Sequence, residues 1–155
     1  MGKTRMSEGN KNIIVKKRFL GEILLEREKI TPDQLELALR TQRRDGGYLG
    51  EILVNLGFLD EQEVIAALVI QCHLPYIAVD RYEINRDVVA LVPKEMACRY
   101  CIIPLDRVGD VLSLVMLDPL DMDIRADVGQ RTNCRVAPFI STRREIEKAI
   151  GQCYR

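Results

Sequence analysis

The sequence predicts an α+β protein: an N-terminal four-helix array made by a tandem helix-turn-helix repeat, followed by a small α/β sandwich that contains a β-hairpin. Two observations predict this class. A short apolar motif recurs after 29 residues with helical spacing around it, and beyond residue 74 the pattern changes to short strands and helices. The chain has 155 residues, 47% of them hydrophobic but only 5% aromatic, so we expect one or two small aliphatic cores.

An internal repeat organises the first half of the chain. The segment Leu20–Leu24 recurs as Leu49–Leu53, and eight of 23 aligned positions are identical. In each copy, apolar residues at positions i, i+3 and i+4 predict a first helix, and a capping box predicts the start of a second one. Thr31, followed by Pro32, opens that helix in the first copy, and Asp60 opens it in the second. The two copies therefore predict four helices.

One feature of the repeat differs between the copies, and two others have more than one interpretation. Gly57 suits the C′ position of the turn between the helices, whereas the first copy has Glu28 there and must end its helix differently. Gln42 and Gln71 end apolar stripes, either as boundary residues that cap neighbouring backbone or as two amides that recognise a two-fold ligand. The Leu-Gly pairs at the helix starts either allow close helix packing or leave backbone N–H groups accessible to an anion.

The second half predicts a hairpin, a helix, a strand and a final helix, preceded by two short helices. Gly109-Asp110 separates the two hairpin strands, and Pro119 follows the second strand. A capping box that begins at Thr142 opens the last helix. The predicted helices are 85–92, 94–100, 123–132 and a last one that ends near residue 154, and the predicted strands are 102–108, 111–117 and 135–140.

These patterns divide the chain into a flexible arm over residues 1–12, a helical subdomain over 13–73 and an α+β subdomain over 74–155. The arm is polar and has no signal-peptide core, and no apolar run approaches the roughly 18–20 residues of a membrane span. The odd number of cysteines, five, favours free thiols in a reducing compartment. We therefore expect a cytoplasmic protein with no direct membrane insertion.

The charge pattern excludes one class of partner. The 23 basic and 23 acidic side chains cancel, which argues against nonspecific binding of DNA, RNA or another polyanion. Residues 1–47 nevertheless carry 11 basic and 7 acidic side chains, whereas residues 48–71 carry no basic and 4 acidic ones. The first copy is therefore basic and the second acidic, so a dianionic ligand should be held asymmetrically.

Few residues have the pattern of a catalytic or metal site. No G-x-x-x-x-G-K-[ST] phosphate loop is present and His73 is the single histidine, so neither a motor ATPase nor a histidine-based enzyme is predicted. Cys98 and Cys101 have C-x-x-C spacing, but Cys72 next to His73 makes a poor second ligand pair. Packing of small thiols at a helix end explains the spacing, and we predict no catalytic residue, no metal and no cofactor.

The tandem pattern Leu-Gly-x-x-Leu … Leu-x-x-x-Leu-x-x-Gln resembles the N-terminal domain of type II secretion and type IV pilus assembly ATPases, known as the GspE N-terminal or MshEN domain. The resemblance runs from about Arg18 to Tyr154 and includes the Leu74-Pro75 link and the Met116–Pro119 strand end. In the MshEN subgroup this domain binds cyclic di-GMP. The resemblance therefore implies a regulatory, nucleotide-binding domain in which each repeat copy takes one half of the ligand.

The ligand-binding motif of that subgroup can be matched to this chain residue by residue. The arginine position of the motif holds Phe19 and Tyr48, which can stack on guanine but bring no charge, and Arg18 is displaced by one residue. Asp118 lies at a position that is close to the ligand cleft in the family. The other residues implied are Leu20, Gly21, Leu24, Leu35, Leu39 and Gln42 in the first copy, and Leu49, Gly50, Leu53, Gly57, Val64, Leu68 and Gln71 in the second.

Two functions follow from this resemblance. The first is a non-catalytic regulatory domain of protein transport that binds cyclic di-GMP and relays the signal to a secretion or pilus ATPase or another partner. The alternative is a protein-docking module that holds an inner-membrane assembly protein without binding a nucleotide. The missing arginines favour docking, whereas the retained Leu-Gly pairs and both glutamines favour the nucleotide.

Overall fold

A computed structural model describes residues 19–154. The chain divides into two compact units, with the boundary between His73 and Leu74. The predicted arm over residues 1–12 and the candidate ligand residue Arg18 lie outside the described residues. The predicted α+β class is confirmed, because the described chain begins with four helices and continues with a three-stranded sheet and further helices.

The first unit contains four helices: α1 (Leu20–Glu26), α2 (Pro32–Asp45), α3 (Leu49–Asn55) and α4 (Glu61–Cys72). Helix α1 contacts α4 and helix α2 contacts α3, so each hairpin packs its first helix on the second helix of the other. This reciprocal packing is that of two similar halves related by an approximate two-fold axis. The buried core is aliphatic and draws on both copies: Ile23, Leu24, Ile30, Ala38, Ile52, Leu53, Leu59, Val64 and Ala67.

Both second helices begin with the predicted capping box. Thr31 Oγ1 accepts a hydrogen bond from the Gln34 N–H at 3.2 Å, and Gln34 Oε1 accepts one from the Thr31 N–H at 2.9 Å. At α4, Asp60 Oδ1 accepts from the Glu63 N–H at 2.8 Å, and Glu63 Oε1 accepts from the Asp60 N–H at 3.1 Å. An N-cap side chain contributes about 1 kcal/mol, so the two boxes fix where α2 and α4 start.

The turns after α1 and α3 have the same backbone, and the prediction that the first copy ends its helix differently is wrong. Gly57 has a φ of +81° and Glu28 a φ of +56°, so both are left-handed. Gly57 N–H donates to the Val54 carbonyl at 2.9 Å and Glu28 N–H to the Leu25 carbonyl at 3.0 Å, as in a Schellman motif. The left-handed conformation costs Glu28 roughly 1–2 kcal/mol. The turn adopts it because the chain must reverse there for Ile30 to reach the core.

The second unit is a three-stranded sheet, in the order β1-β2-β3, with helices packed on it. Strands β1 (Ile102–Val108) and β2 (Val111–Met116) form the predicted antiparallel hairpin, and β3 (Arg135–Ile140) lies parallel to β2. Gly109, with a φ of +61°, makes the hairpin turn. The helices are α5 (Arg86–Val89), α6 (Lys94–Tyr100), α7 (Met122–Thr132) and α8 (Arg143–Cys153), and α7 forms the crossover between the parallel strands.

Three elements differ from the prediction in their boundaries, and one of them is α7, which begins one residue early, at Met122. The helix predicted at 85–92 is α5, four residues long, because Val92 precedes Pro93 and a residue before proline is disfavoured in the helical region. Leu91 N–H donates instead to the Val88 carbonyl three residues back, at 3.0 Å. Strand β2 ends at Met116, one residue early. A short 3-10 helix over 79–81 was not predicted.

The segment that opens the second unit is hydrogen-bonded to β3 and α8. Ile77 N–H donates to the Ile140 carbonyl at 2.9 Å, and Tyr76 Oη donates to Glu145 Oε2 at 2.5 Å. Burial alone would raise the pKa of Glu145, but the hydrogen bonds from Tyr76 and from Thr142 bring it below its usual value. Burial, and then the bond to Glu145, raises the pKa of Tyr76 to about 12. The buried Glu145 carboxylate therefore anchors this segment to the start of α8.

Candidate functional site

The Leu-Gly pairs place two glycines where the helices of each hairpin approach closely. Gly21 and Gly50 are both buried. A Cβ on Gly21 would lie 2.8 Å from Leu35 Cδ1, and a Cβ on Gly50 would lie 2.6 Å from Val64 Cγ1. Contacts this short are not made by real Cβ atoms, because they fall well inside the van der Waals separation of about 3.5–4.0 Å. The structure therefore favours the close-packing interpretation of the Leu-Gly pairs.

Phe19 and Tyr48 occupy the equivalent position just before each Leu-Gly pair. Each is the N-cap residue of its helix, and each has an extended backbone and makes no side-chain cap bond. Phe19 is 72% exposed and Tyr48 is 38% exposed. Each copy thus presents one aromatic ring to solvent beside a close-packed Leu-Gly pair.

The two glutamines lie at equivalent places near the ends of α2 and α4, and both are half-buried. Gln42 Nε2 donates to the Gly47 carbonyl at 3.0 Å, in the segment that joins the copies. This bond supports the backbone-capping interpretation for Gln42, and it leaves Gln42 Oε1 as an acceptor. Gln71 also interacts with its surroundings. Neither amide is therefore a purely solvent-facing group.

Apart from Leu39, the aliphatic residues of the predicted site either lie in the core of the first unit or, like Leu20, Leu35, Leu49 and Leu68, pack against it. Leu24 and Leu53 have no exposed surface, and Val64 is 8% exposed. Gly57 lies in an exposed turn. The half-buried residues, which alone among these leucines can touch a ligand, are Leu20, Leu35, Leu39, Leu49 and Leu68. The apolar part of the motif therefore mainly holds the two hairpins together.

The positive charge of the first copy is partly neutralised in the structure. Arg44 makes two hydrogen bonds of 3.0 Å to the carboxylate of Asp45, which raise the pKa of Arg44 and lower that of Asp45. Lys29 Nζ lies 3.7 Å from Glu63 Oε2 and pairs the first copy with the second. Arg43 is exposed and makes no ion pair with any residue in 19–154.

Asp118 belongs to the second unit and follows β2 directly. Its backbone carbonyl accepts a hydrogen bond from the Asp121 N–H at 3.2 Å, which makes it a turn former. Its side chain is half-buried, and burial, followed by the charge of Asp121, raises its pKa. The structure therefore places Asp118 in the turn that follows the carboxyl end of β2.

The two cysteines of the C-x-x-C pair differ in exposure. Cys98 is exposed, whereas Cys101 is buried and ends α6 in a left-handed conformation with a φ of +53°. Within residues 19–154 no group of three or more histidine, cysteine, aspartate or glutamate side chains is arranged to hold a metal ion. In the same part of the chain, none of the helices has the length and apolar character required to span a bilayer.

One polar cluster was not predicted from the sequence. Tyr100 Oη donates to Asp127 Oδ2 at 2.8 Å, and Arg131 Nε donates to Asp127 Oδ1 at 3.0 Å. The guanidinium of Arg99 lies 5.5 Å from the centroid of the Tyr100 ring. The i, i+4 spacing of Asp127 and Arg131 indicates their ion pair, but no local pattern signals that Tyr100, on another helix, joins it.

A family model for the MshEN domain matches residues 72–155, more than half of the chain. The chain therefore belongs to the MshEN domain family, and the resemblance seen in the sequence is confirmed. It is 31% identical over 135 residues to the type IV pilus assembly ATPase PilB of Myxococcus xanthus and 32% identical over 137 residues to PilB of Thermus thermophilus. These matches cover 87% of this chain but only 24% and 15% of the two relatives, so the chain spans less than a quarter of either.

Two solved structures resemble the whole described fold. One is MshE with cdg, a short form of cyclic di-GMP, with a TM-score of 0.79 and 30% identity, covering 88% of this chain and 99% of that chain. The other is the N-terminal domain of XpsE, with a TM-score of 0.68, covering 86% of this chain and 92% of that chain. At 20% identity, the XpsE likeness shows the fold alone.

Proposed function

We propose that this chain is a non-catalytic regulatory domain that binds cyclic di-GMP through its tandem repeat and relays the binding to a secretion or pilus motor or its partner. The observation that carries the proposal is the pair of equivalent aromatic residues, Phe19 and Tyr48, each exposed beside a close-packed Leu-Gly pair. A ligand with two identical guanosine halves suits a protein with two similar halves, because each half can make the same contacts. The 30% identity to MshE with cdg supports the choice of ligand.

The aromatic rings would hold the bases, and the glutamines would bond their polar edges. Stacking of a base on an aromatic ring is worth roughly 1–3 kcal/mol. Phe19 has the more exposed ring, so we expect the first copy to stack more extensively than the second. Gln42 Oε1 is an acceptor that suits the N–H groups of the guanine Watson–Crick edge. Gln71 is the corresponding proposed contact in the second copy.

The phosphates would find little positive charge among the described residues of the first unit. Phe19 and Tyr48 stand where the family motif has arginine, and Arg44 is already paired with Asp45. Arg43 and, outside the described residues, Arg18 are the proposed sources of charge. Exposed charges are screened by salt, so binding that rests on stacking should weaken little between low and physiological salt.

Titration calorimetry of the chain with cyclic di-GMP, cyclic di-AMP and GTP tests the proposal. We expect heat with cyclic di-GMP and weaker or no heat with the other two. The absence of heat with cyclic di-GMP at high micromolar protein would reject the nucleotide hypothesis.

Four variants locate the site if binding is observed. Phe19→Ala and Tyr48→Ala should each weaken binding by roughly 5- to 150-fold, the equivalent of the stacking energy. Gln42→Ala and Gln71→Ala should also each weaken it. Tyr82→Ala is the matched control, because Tyr82 is an exposed tyrosine (51%) in the second unit. Unchanged affinity in both glutamine variants would show that the ligand uses another face.

The alternative function, docking of an inner-membrane assembly protein without a nucleotide, is favoured by one observation. The turn of the first copy has the exposed carboxylate of Glu28 where the family motif has glycine, and a carboxylate repels a phosphate. A silent calorimetric titration, together with unaltered thermal stability in cyclic di-GMP, would support this alternative.

A further inference from the structure

A cleft of about 170 Å³ opens between α6 and α7 in the second unit. It is lined by Arg99 and Tyr100 from α6 and by Asp127 and Arg131 from α7, with Glu95 at its edge. None of these residues belongs to the proposed cyclic di-GMP site. The cleft is therefore a second polar feature that the proposed function does not use.

Asp127 holds the two sides of this cleft in place. One carboxylate oxygen accepts the Tyr100 hydroxyl at 2.8 Å and the other accepts Arg131 Nε at 3.0 Å. The hydrogen bond from Tyr100, and then that from Arg131, lowers the pKa of Asp127, so the carboxylate is charged at neutral pH. Both oxygens of Asp127 are thus engaged by cleft residues, and its charge is shared with Arg131.

Two guanidinium groups remain able to bind an anion. Arg131 uses Nε to hold Asp127, and its terminal Nη groups remain as donors. Arg99 lies 5.5 Å above the Tyr100 ring, and no carboxylate in the described part of the chain pairs with it. Arg131 is thus held by a carboxylate and Arg99 by an aromatic face, so each loses less side-chain entropy on binding than a fully mobile arginine would.

We propose that this cleft is a docking site for a single acidic side chain of a partner protein, bound between Arg99 and Arg131. The size of the cleft supports a side chain, because small-molecule pockets are typically about 300–1,000 Å³. Arginine and tyrosine are enriched at protein interfaces, and Arg99, Tyr100 and Arg131 line the cleft, whereas Met96 at its wall belongs to the buried core. Charge-assisted bonds between guanidinium and carboxylate give both affinity and orientation.

Glu95 limits the choice of partner. Its carboxylate lines the same cleft and, within residues 19–154, has no ion-pair partner. It therefore opposes the binding of every anion in the cleft, and opposes a segment with several negative charges most. The site should prefer an isolated glutamate or aspartate with neutral neighbours over a polyacidic segment.

Nuclear magnetic resonance titration of the ¹⁵N-labelled chain tests this proposal with defined probes. The probe is the peptide acetyl-Ala-Ala-Glu-Ala-Ala-amide, and the matched peptide has Gln in place of Glu. We expect the Glu peptide to shift the Nε–H signals of Arg99 and Arg131 and the amide of Tyr100, and to bind about tenfold more tightly than the Gln peptide. A peptide with three consecutive glutamates should gain nothing further, and Glu95→Gln should remove that discrimination.

Arg99→Ala and Arg131→Ala should each weaken binding about tenfold, with Arg131→Lys as a second variant if Arg131→Ala unfolds. Arg107→Ala is the matched control, because Arg107 Nε bonds to the Gly109 carbonyl in the hairpin turn, outside the cleft. Equal binding of the Glu and Gln peptides, or an equal loss in Arg107→Ala, would overturn the proposal. So would inorganic phosphate that shifts both arginines while the Glu peptide does not, since the cleft would then be a small-anion site. None of these outcomes depends on cyclic di-GMP.

Discussion

The two copies of the repeat share a backbone but differ in the side chains that make each contact. Helices α1 and α3 both have seven residues, and both are followed by a turn with a left-handed residue. Yet the glycine of the first copy faces Leu35 and that of the second faces Val64. The left-handed residue is Glu28 in one copy and Gly57 in the other. The backbone of the hairpin is therefore determined by which positions are buried and hydrogen-bonded. Different side chains can meet these requirements, but they differ in conformational free energy.

The largest expected loss of stability comes from adding a methyl group at a buried glycine, and it should be greater at Gly50 than at Gly21. In Gly50→Ala the new Cβ meets Val64 Cγ1 at 2.6 Å, and a β-branched side chain on a helix has little rotamer freedom with which to move. In Gly21→Ala the Cβ meets Leu35 Cδ1 at 2.8 Å, the far end of a flexible side chain. We expect Gly50→Ala to lower the free energy of unfolding by about 2 kcal/mol and Gly21→Ala by less than about 1 kcal/mol, measured by urea denaturation.

A matched control and a second-site variant test the cause of this difference. Gly151 lies in α8 with nothing within 4 Å of an added Cβ, so Gly151→Ala should raise stability by up to about 1 kcal/mol through helix propensity alone. The double variant Gly50→Ala with Val64→Ala should be less destabilised than the sum of the single ones. Additive losses would mean that the clash with Val64 is not the cause.

Exchanging the left-handed turn residues should give the next largest change in the free energy of unfolding, a gain in the first copy and a loss in the second. Glu28→Gly should raise the free energy of unfolding by about 1 kcal/mol, because it relieves a left-handed L residue. Gly57→Glu should lower it by about 1–2 kcal/mol, because it creates one. Thermal and urea unfolding check both values. As a control, Glu36→Gly in exposed helix α2 should lower stability by about 1 kcal/mol, so a gain there would show that the turn is not responsible.

The two capping boxes should contribute similar amounts to the free energy of unfolding, but only one contribution should depend on salt. Thr31→Ala and Asp60→Ala should each lower the free energy of unfolding by about 1 kcal/mol. Asp60 carries a charge near the start of α4 and Thr31 carries none at α2, so only the Asp60→Ala cost should shrink in about 1 M salt. Equal salt dependence of both variants would contradict a charge-based cap in the second copy.

The ion pair between the copies should give the smallest effect. Lys29 and Glu63 are 3.7 Å apart, and their side chains are 42% and 34% exposed. Lys29→Gln should therefore change the free energy of unfolding by no more than about 0.5 kcal/mol. A loss above about 1 kcal/mol in urea denaturation would show that this pair, rather than the shared core, holds the copies together.

Elements with a local cause were predictable from the sequence. The capping boxes that start at Thr31, Asp60 and Thr142 are formed, because each depends on residues only three apart. Strands β1 and β3 have the predicted ends, since turn residues flank them. The family was also predictable, because a recurring motif can be recognised from the order of residues in the sequence alone.

Features set by tertiary contacts were not predictable. Glu28 is left-handed because the core behind the turn requires it, against the preference of the residue itself. Tyr100 reaches Asp127 because α6 and α7 pack together. The assignment of Leu24 and Leu53 to the core rather than to a ligand surface likewise depends on how four helices meet, which their spacing along one helix does not specify.

The reciprocal packing of the two hairpins is the arrangement of a symmetric homodimer whose subunits have been fused into one chain. The junction is short and includes Gly46 and Gly47, with φ values of +76° and +95°. The core of the first unit draws on residues of both hairpins, so we expect neither hairpin to fold without the other. Their outer surfaces, in contrast, are now inherited as separate sequences and free to diverge. The result is a covalent heterodimer: two halves that share one core but differ in residues such as Glu28 and Gly57.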